Sequence, residues 1–376
     1  MGSIKPHVQP PVVATLKVSV ANAYFGLSHP PPSLPIGFVE TMAIEIRTLD
    51  FSKFHNGTDA ERKEFARGLF DGWSKEGFVK IINHGFTKED FDQLFEWNRK
   101  FFALPEDEKI KVANPPTPNP QRGWTKVNGE KTGTLNQNGI TNLQKVEHGE
   151  LEDAREHLDV GPPMDEEYPN RWPPEEVIPG FRAWIETYFR KGREISLELI
   201  EALELATGCP KGYFADKFAT DASELRMNHY PTVAVSKLEA GTTRRIWPHT
   251  DFGVVTLLIQ DDHGGLEIHD KRQPGTVFVP VKKTADTEFI INIGDTLERL
   301  TNGVLKATLH QVTSPPHLKD RHDEVLPSRH SIAFFLKADR NASVGAMDHF
   351  VSEKRPAAYD DVTSLEFQNR RTNILY

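Results

Sequence analysis

The chain has 376 residues, 38% of them hydrophobic and 10% aromatic, and a formal charge of −9. It can therefore bury a proper core in one large domain or two modest ones, while the acidic balance argues against a nucleic-acid or anionic-membrane partner, since both need a basic face. Cys209 is the only cysteine, which excludes a disulfide framework and a thiolate metal site, and no apolar run of about 18 residues marks a membrane helix.

Residues 1–42 hold no acidic residue before Glu40, no arginine and many prolines. They make a poor transit peptide, and Pro6 spoils a myristoylation signal. The expectation is a loosely ordered extension on a cytoplasmic protein, with some room for organelle targeting. A single domain is expected over 43–376, divided into an N-terminal helical and lid region (43–175) and a β core with its bracing helix (176–376).

Taken in order, "TDAERKEFARGLFDGWSKEG" reads as an amphipathic helix that places Phe65, Leu69, Phe70 and Trp73 on one face and ends at Gly77. "FVKIIN" follows as a strand. Thr87 and Asp90 then form a capping-box pattern opening a second helix, which closes at Pro105. From Asn114 to about Pro174 the chain is polar and proline-rich with little periodicity, as expected of a segment wrapping over something else. A long helix runs from about Phe181 to Leu205 and is stopped by "TGCP", whose Cys209 reads as a buried small residue. After that the period changes. "ELRMNHYP", "VVTLLIQ", "GLEIHD", "TVFVPV", "EFIINIGD", "LKATLHQVTSP" and "RHSIAFFLKA" are short β-rich segments separated by turn residues. The fold class is mainly β with flanking helices, and a jelly roll or barrel is the natural closed form because closure protects strand edges.

"RIWPHTDFGVVTLLIQD" sets His249 and Asp251 at the mouth of an apolar strand. Unpartnered charge in a low-dielectric interior is costly, so either the pair lies outside the core or a cation satisfies it. Side chains at i and i+2 on a strand share a face, which would aim both at one metal. Such a pair also arises by chance, and His157 with Asp159 is a second instance; its charged neighbours and the absence of a following β run are those of a solvated loop. His310 in "LKATLHQV" is a candidate third ligand from a neighbouring strand, with an ordinary half-buried histidine as the alternative. Two histidines and a carboxylate on one side of a metal leave open positions, which suits non-haem Fe(II) that must bind a co-substrate and O2 together; zinc, copper or nickel would also bind such a set. In "SRHSIAFFL", Arg329 and Ser331 again share a face. They could clamp a carboxylate beside the metal; otherwise the arginine is a surface residue paired with an acid.

These motifs resemble the Fe(II)/2-oxoglutarate-dependent dioxygenases of the isopenicillin N synthase-like group. "GFVKIINHGF", "FFALPEDEK" and "RGW" resemble its N-terminal region. "LRMNHYP", "HTDFGVVTLLIQD", "GGLEI", "INIGDTLERLTNG", "KATLHQV" and "RHSIAFF" follow its catalytic core in order, so the match runs from about residue 43 to 376. The resemblance implies a double-stranded β-helix (jelly roll) core braced by N-terminal and central α-helices, with His249, Asp251 and His310 as the catalytic iron ligands. It implies that Arg329 and Ser331 hold the distal carboxylate of 2-oxoglutarate and that Asn228 and Tyr230 help to bind this co-substrate. The activity implied is O2-dependent oxidation of a C–H bond in a small molecule: hydroxylation, desaturation or ring rearrangement, in secondary metabolite biosynthesis. Two departures concern loop shape. Gln311 stands where an arginine usually follows the distal histidine, and the interval from His310 to Arg329 is long. The Arg-x-Ser pair also occurs in relatives that do not consume 2-oxoglutarate, so an O2-dependent oxidase without it stays open.

Spacing most resembles the fungal thymine 7-hydroxylase branch and fungal secondary-metabolite oxidases. Arg226 and Phe335 match positions that line the thymine branch's pocket, whereas Phe252 replaces a tyrosine of that branch and removes a polar contact. All three are candidate substrate residues, and Arg226 and Phe335 have a purely structural alternative. The expected substrate is a small organic metabolite, aromatic or polyketide-like, in preference to a free pyrimidine. Oligomeric state is not legible.

Overall fold

The computed structural model describes residues 44–115, 120–137 and 151–375. The extension expected over 1–42, and part of the expected wrapping segment, lie outside these. The elements that position the site are, in chain order, β1 (Thr48–Asp50), α1 (Asp59–Lys75), β2 (Phe78–Ile82), α2 (Lys88–Phe102), β3 (Gly123–Thr125), β4 (Glu156–Val160) and α3 (Phe181–Thr207). Then come β5 (Glu224–Tyr230), β6 (Ile246–His249), β7 (Val255–Gln260), β8 (Leu266–His269), β9 (Phe278–Pro280), β10 (Phe289–Ile293), β11 (His310–Val312), β12 (Arg329–Leu336) and α4 (Ser364–Leu375).

The helices start and stop where local chemistry dictates. Thr58 and Glu61 close a capping box on α1, and Thr87 and Asp90 close one on α2. Gly77 and Gly208, both at positive φ, follow α1 and α3. Phe65, Leu69 and Trp73 of α1 are buried, with Phe70 at the margin.

Among the described residues, the main sheet runs β1-β2-β10-β7-β12-β5-β4-β3, antiparallel except for β1 and β2, and the smaller antiparallel sheet runs β9-β8-β11-β6. The two face one another as a jelly roll, joined by a core that includes Phe78, Ile246, Leu266, Ile268, Val312 and Ile290.

The central strands obey period 2, with both faces covered. Leu225 and Met227 of β5, Val255, Leu257 and Ile259 of β7, and Ile332, Phe334 and Leu336 of β12 face the helices in the main core. There Phe334 meets Phe189 of α3 edge-on at 5.1 Å, and Gly192 of α3 lets the ring approach, since a Cβ would lie 3.0 Å from it. The alternate residues face the smaller sheet and are mostly polar: Thr256, Gln260, Ser331, Arg329, Asn228 and Arg226 are all buried there, with Leu258, Ala333 and Phe335 between them. A row of buried polar groups between two sheets contributes little to packing. It marks the working face.

Two expectations are corrected. His157 and Asp159 are not a solvated loop pair: they lie on β4, each 1% exposed, paired in register with Asn228 and Arg226. The counter-charge that permits this is on the neighbouring strand, where Arg226 Nε donates to Asp159 Oδ1 at 2.8 Å. Likewise, the span from Asn114 to Pro174 does more than wrap, because β3 and β4 extend the main sheet. Cys209 is buried and free, as expected. No helix among the described residues is long and apolar enough to cross a membrane.

Candidate functional site

The site begins with register. β6 and β11 pair so that His249 lies opposite His310, with ring centroids 4.3 Å apart. Asp251 follows β6 by two residues and turns its Oδ1 to 3.8 Å from His249 Nε2 and 3.7 Å from His310 Nε2. All three donor atoms lie within 4.8 Å of one another. Atoms bound at about 2.1 Å to one ion can be up to about 4.2 Å apart, so these two separations fit a shared metal.

Each donor is oriented by a second contact. His249 Nδ1 donates to Trp247 O at 2.8 Å and His310 Nδ1 to Thr308 O at 3.2 Å. A carbonyl only accepts, so the proton sits on Nδ1 and Nε2 keeps its lone pair toward the centre. Asp251 Oδ2 accepts from Thr256 Oγ1 (2.6 Å) and Asn292 Nδ2 (2.7 Å), leaving Oδ1 for the metal. Burial, helped by the charge His310 would carry, pushes His249 down to about 3 and keeps it neutral. Burial opposes charge on Asp251, but the two imidazoles and the two hydrogen bonds outweigh it and hold the carboxyl below its ordinary range. Behind the aspartate, Gly294 allows close backbone approach: a Cβ there would lie 2.2 Å from Gly253 O and 2.8 Å from Asp251 O.

Next to this centre is a receptor with spare donors. Arg329 is 1% exposed; its Nε donates to Gly264 O (2.8 Å) and its Nη2 to Gln260 Oε1 (2.7 Å), while its buried Nη1 has no partner. Tyr230 is its cross-strand neighbour, with the guanidinium 4.7 Å over the ring, and the Tyr230 hydroxyl lies 3.3 Å from Ser331 Oγ. Asn228 sits opposite Ser331 in the same register. Arg245, wholly buried with its guanidinium 5.9 Å from the Tyr230 ring centroid, adds positive charge and leaves its own Nε and Nη1 unpartnered. Burial, then the charge of Arg329, lowers its pKa to about 10. Orphaned buried guanidinium donors are costly unless an anion completes them, so this corner fits a carboxylate, and the neighbouring donor set fits a divalent metal.

Both open onto one cavity of about 940 Å³ including its mouth. Arg226, Phe252 and Phe335, the expected substrate residues, all line it. Sequence reasoning missed Glu130, Arg155 and Leu375, which line it too. One signal was available: Arg155, His157 and Asp159 alternate in "EDAREHLD", the period of a strand with one charged face. Arg226 is bound by Asp159 and by Glu130 Oε2 at 2.7 Å, and Arg155 Nη2 donates to the same Glu130 oxygen at 2.7 Å. The departure at Gln311 is compensated locally, since its Oε1 accepts from Arg244 and its Nε2 donates to Glu267 at 2.7 Å.

Comparison with known proteins gives the frame. Residues 46–175 match the family model described as the non-haem dioxygenase in morphine synthesis N-terminal region, and 222–338 match the 2OG-Fe(II) oxygenase superfamily. The chain is 49% identical over 333 residues to the 2-oxoglutarate-dependent dioxygenase ecdK of Aspergillus rugulosus, covering 89% of this chain and all of that one. It is 42% identical over 339 residues to the 2-oxoglutarate-dependent dioxygenase phqC of Penicillium fellutanum, covering 87% and 94%. Among solved structures, full-length Neurospora crassa T7H in complex with alpha-KG superposes with a TM-score of 0.76 at 27% identity, covering 89% of this chain and 98% of that one. The chain therefore belongs to the 2OG-Fe(II) oxygenase superfamily, as a non-haem dioxygenase that uses Fe(II), 2-oxoglutarate and O2.

Proposed function

We propose that His249, Asp251 and His310 hold the iron, that Arg329 and Ser331, assisted by Tyr230 and Asn228, hold 2-oxoglutarate, and that the chain oxidises a C–H bond of a small organic metabolite placed in the adjoining cavity. The observation that carries this reading is the convergence of three donor atoms, each turned inward by a hydrogen bond on its far side. Iron, 2-oxoglutarate and O2 together supply an oxidant strong enough to attack an unactivated C–H bond.

The protein's part is placement and charge. One carboxylate against a divalent ion leaves net positive charge that attracts a dianionic co-substrate, and Arg329 balances the far carboxylate with an N–H no other group uses. Leu258, Ala333 and Phe335 line the wall between the sheets and keep water from the reacting carbon. Reconstitution with Fe(II) tests the assignment: His249→Ala should lose both bound iron and succinate formation. Retention of both would refute it.

A second reading, a pyrimidine hydroxylase, is supported by the likeness to T7H, solved in one case with thymine at 25% identity, and by Arg226 and Phe335 lining the cavity. The carboxylates of Asp159 and Glu130 already occupy Arg226, which disfavours it. One relative, 37% identical, is named a proline hydroxylase, which supports a small substrate. We further propose one domain over 43–376 and a cytoplasmic enzyme without a nucleic-acid partner, in keeping with the net charge of −9.

A further inference from the structure

Beside Asn228, the cavity wall carries opposite charges side by side. Glu130 and Arg155 are each 5% exposed, both line the cavity, and they touch through Arg155 Nη2 and Glu130 Oε2 at 2.7 Å. Neither side chain is fully used. Arg155 Nε is buried without a partner, its Nη1 makes only a 3.3 Å contact with Asn228 Oδ1, and Glu130 Oε1 accepts no hydrogen bond from the described residues. Burial opposes charge on Glu130, but Arg226 and Arg155 outweigh it and hold its pKa at about 2, so the carboxylate is ionised.

A buried ion-pair network is weak evidence for stability, because apolar residues of similar volume usually do as well. Its cost is understandable where a ligand completes it. A lone carboxylate in the substrate would be repelled by Glu130 and a lone amine by Arg155. An ammonium and a carboxylate separated by one carbon match an acceptor and a donor in direct contact. Elsewhere the wall carries the apolar side chains of Leu135, Phe252, Phe335 and Leu375 beside charged ones that already have partners, Arg226 with Asp159 and Lys337 with Glu224.

We propose that the substrate is a free α-amino or α-imino acid with an apolar side chain, its carboxylate bound by Arg155 and its ammonium by Glu130. This rests on the oxygenase reading above and names the substrate class for that site. It also displaces the polyketide-like expectation, because such molecules carry no adjacent opposite charges, and keeps an aromatic substrate only as an aromatic amino acid.

The test uses the full, iron-loaded chain with 2-oxoglutarate, read by succinate formation and by direct ligand titration under anaerobic conditions. The probes are the common L-amino acids with apolar side chains, each with its N-acetyl and carboxamide derivative. One or more free amino acids should bind and stimulate succinate, and capping either end should weaken binding about 10- to 100-fold. Glu130→Gln should raise the KM of the free amino acid at least tenfold while leaving the affinity of its N-acetyl form nearly unchanged, a split that a merely structural residue would not produce. Should that variant fail to fold, the capped probes on the wild-type chain still decide. Capped forms that bind as well as free ones overturn the proposal, as do free amino acids that neither bind nor stimulate while another metabolite drives succinate formation. Failure of the underlying reading looks different: no iron is retained and no succinate forms with any addition.

Discussion

Thr256 and Asp251 are joined by a 2.6 Å hydrogen bond that points one carboxylate oxygen into the sheet and frees the other. Asn292 reinforces it from β10 at 2.7 Å. Such supporting contacts typically change metal affinity 10- to 100-fold when lost. Thr256→Val keeps the volume and removes the hydroxyl; it should weaken Fe(II) binding by roughly this factor, measured by competition with a chelator, with the thermal midpoint little changed.

Arg329 Nη1 is buried and unpartnered. Arg329→Ala should raise the 2-oxoglutarate requirement by about 100-fold or more, as expected for a lost charge-assisted contact, while iron content stays near normal. An unchanged requirement at normal iron content would place the anchor elsewhere.

The backbone crossing at Gly294 has no room for a methyl group, since its Cβ would lie 2.2 Å from Gly253 O. Gly294→Ala should destabilise the fold by about 1–3 kcal/mol, the usual cost of overpacking, and should also weaken iron binding because Asp251 O is its next neighbour at 2.8 Å. Denaturant unfolding alongside metal titration checks both effects.

Acid should unfold the protein partly through His84. Burial lowers its pKa from 6.5 to about 4, although its Nε2 keeps a 2.6 Å bond to Thr287 O. The folded chain then binds this proton less readily than the unfolded one. The stability it contributes is complete above about pH 6.5 and is lost as pH falls through 4, amounting to roughly 3 kcal/mol at most. His330, also lowered to about 4 by burial and by neighbouring His229, acts with the same sign. His84→Gln should therefore flatten, without abolishing, the fall in unfolding free energy between pH 6.5 and 4. A slope equal to that of the wild type would contradict this assignment.

What could be read from the sequence was whatever repeats locally. The strands holding His249, His310, Arg329 and Asn228 announce themselves by alternating polarity, and the i, i+2 spacing of His249 with Asp251 already implies a shared direction. The pairing of β6 with β11 is not local; a third ligand could be suspected at His310, but its place opposite His249 is set by a register the sequence does not print. The same limit explains the misread pair at His157 and Asp159. Their charges look solvated until Arg226, 67 residues from Asp159, is seen donating to it. Glu130 was invisible for a similar reason: its segment has no period, and both of its guanidinium partners come from other strands or loops.

The most direct measurement is a crystal structure of the chain grown anaerobically with Fe(II) and 2-oxoglutarate. The expected result is one iron within about 2.3 Å of His249 Nε2, Asp251 Oδ1 and His310 Nε2, with the distal carboxylate of 2-oxoglutarate on Arg329. Iron bound elsewhere, or any of the three side chains turned away from it, would contradict the assignment.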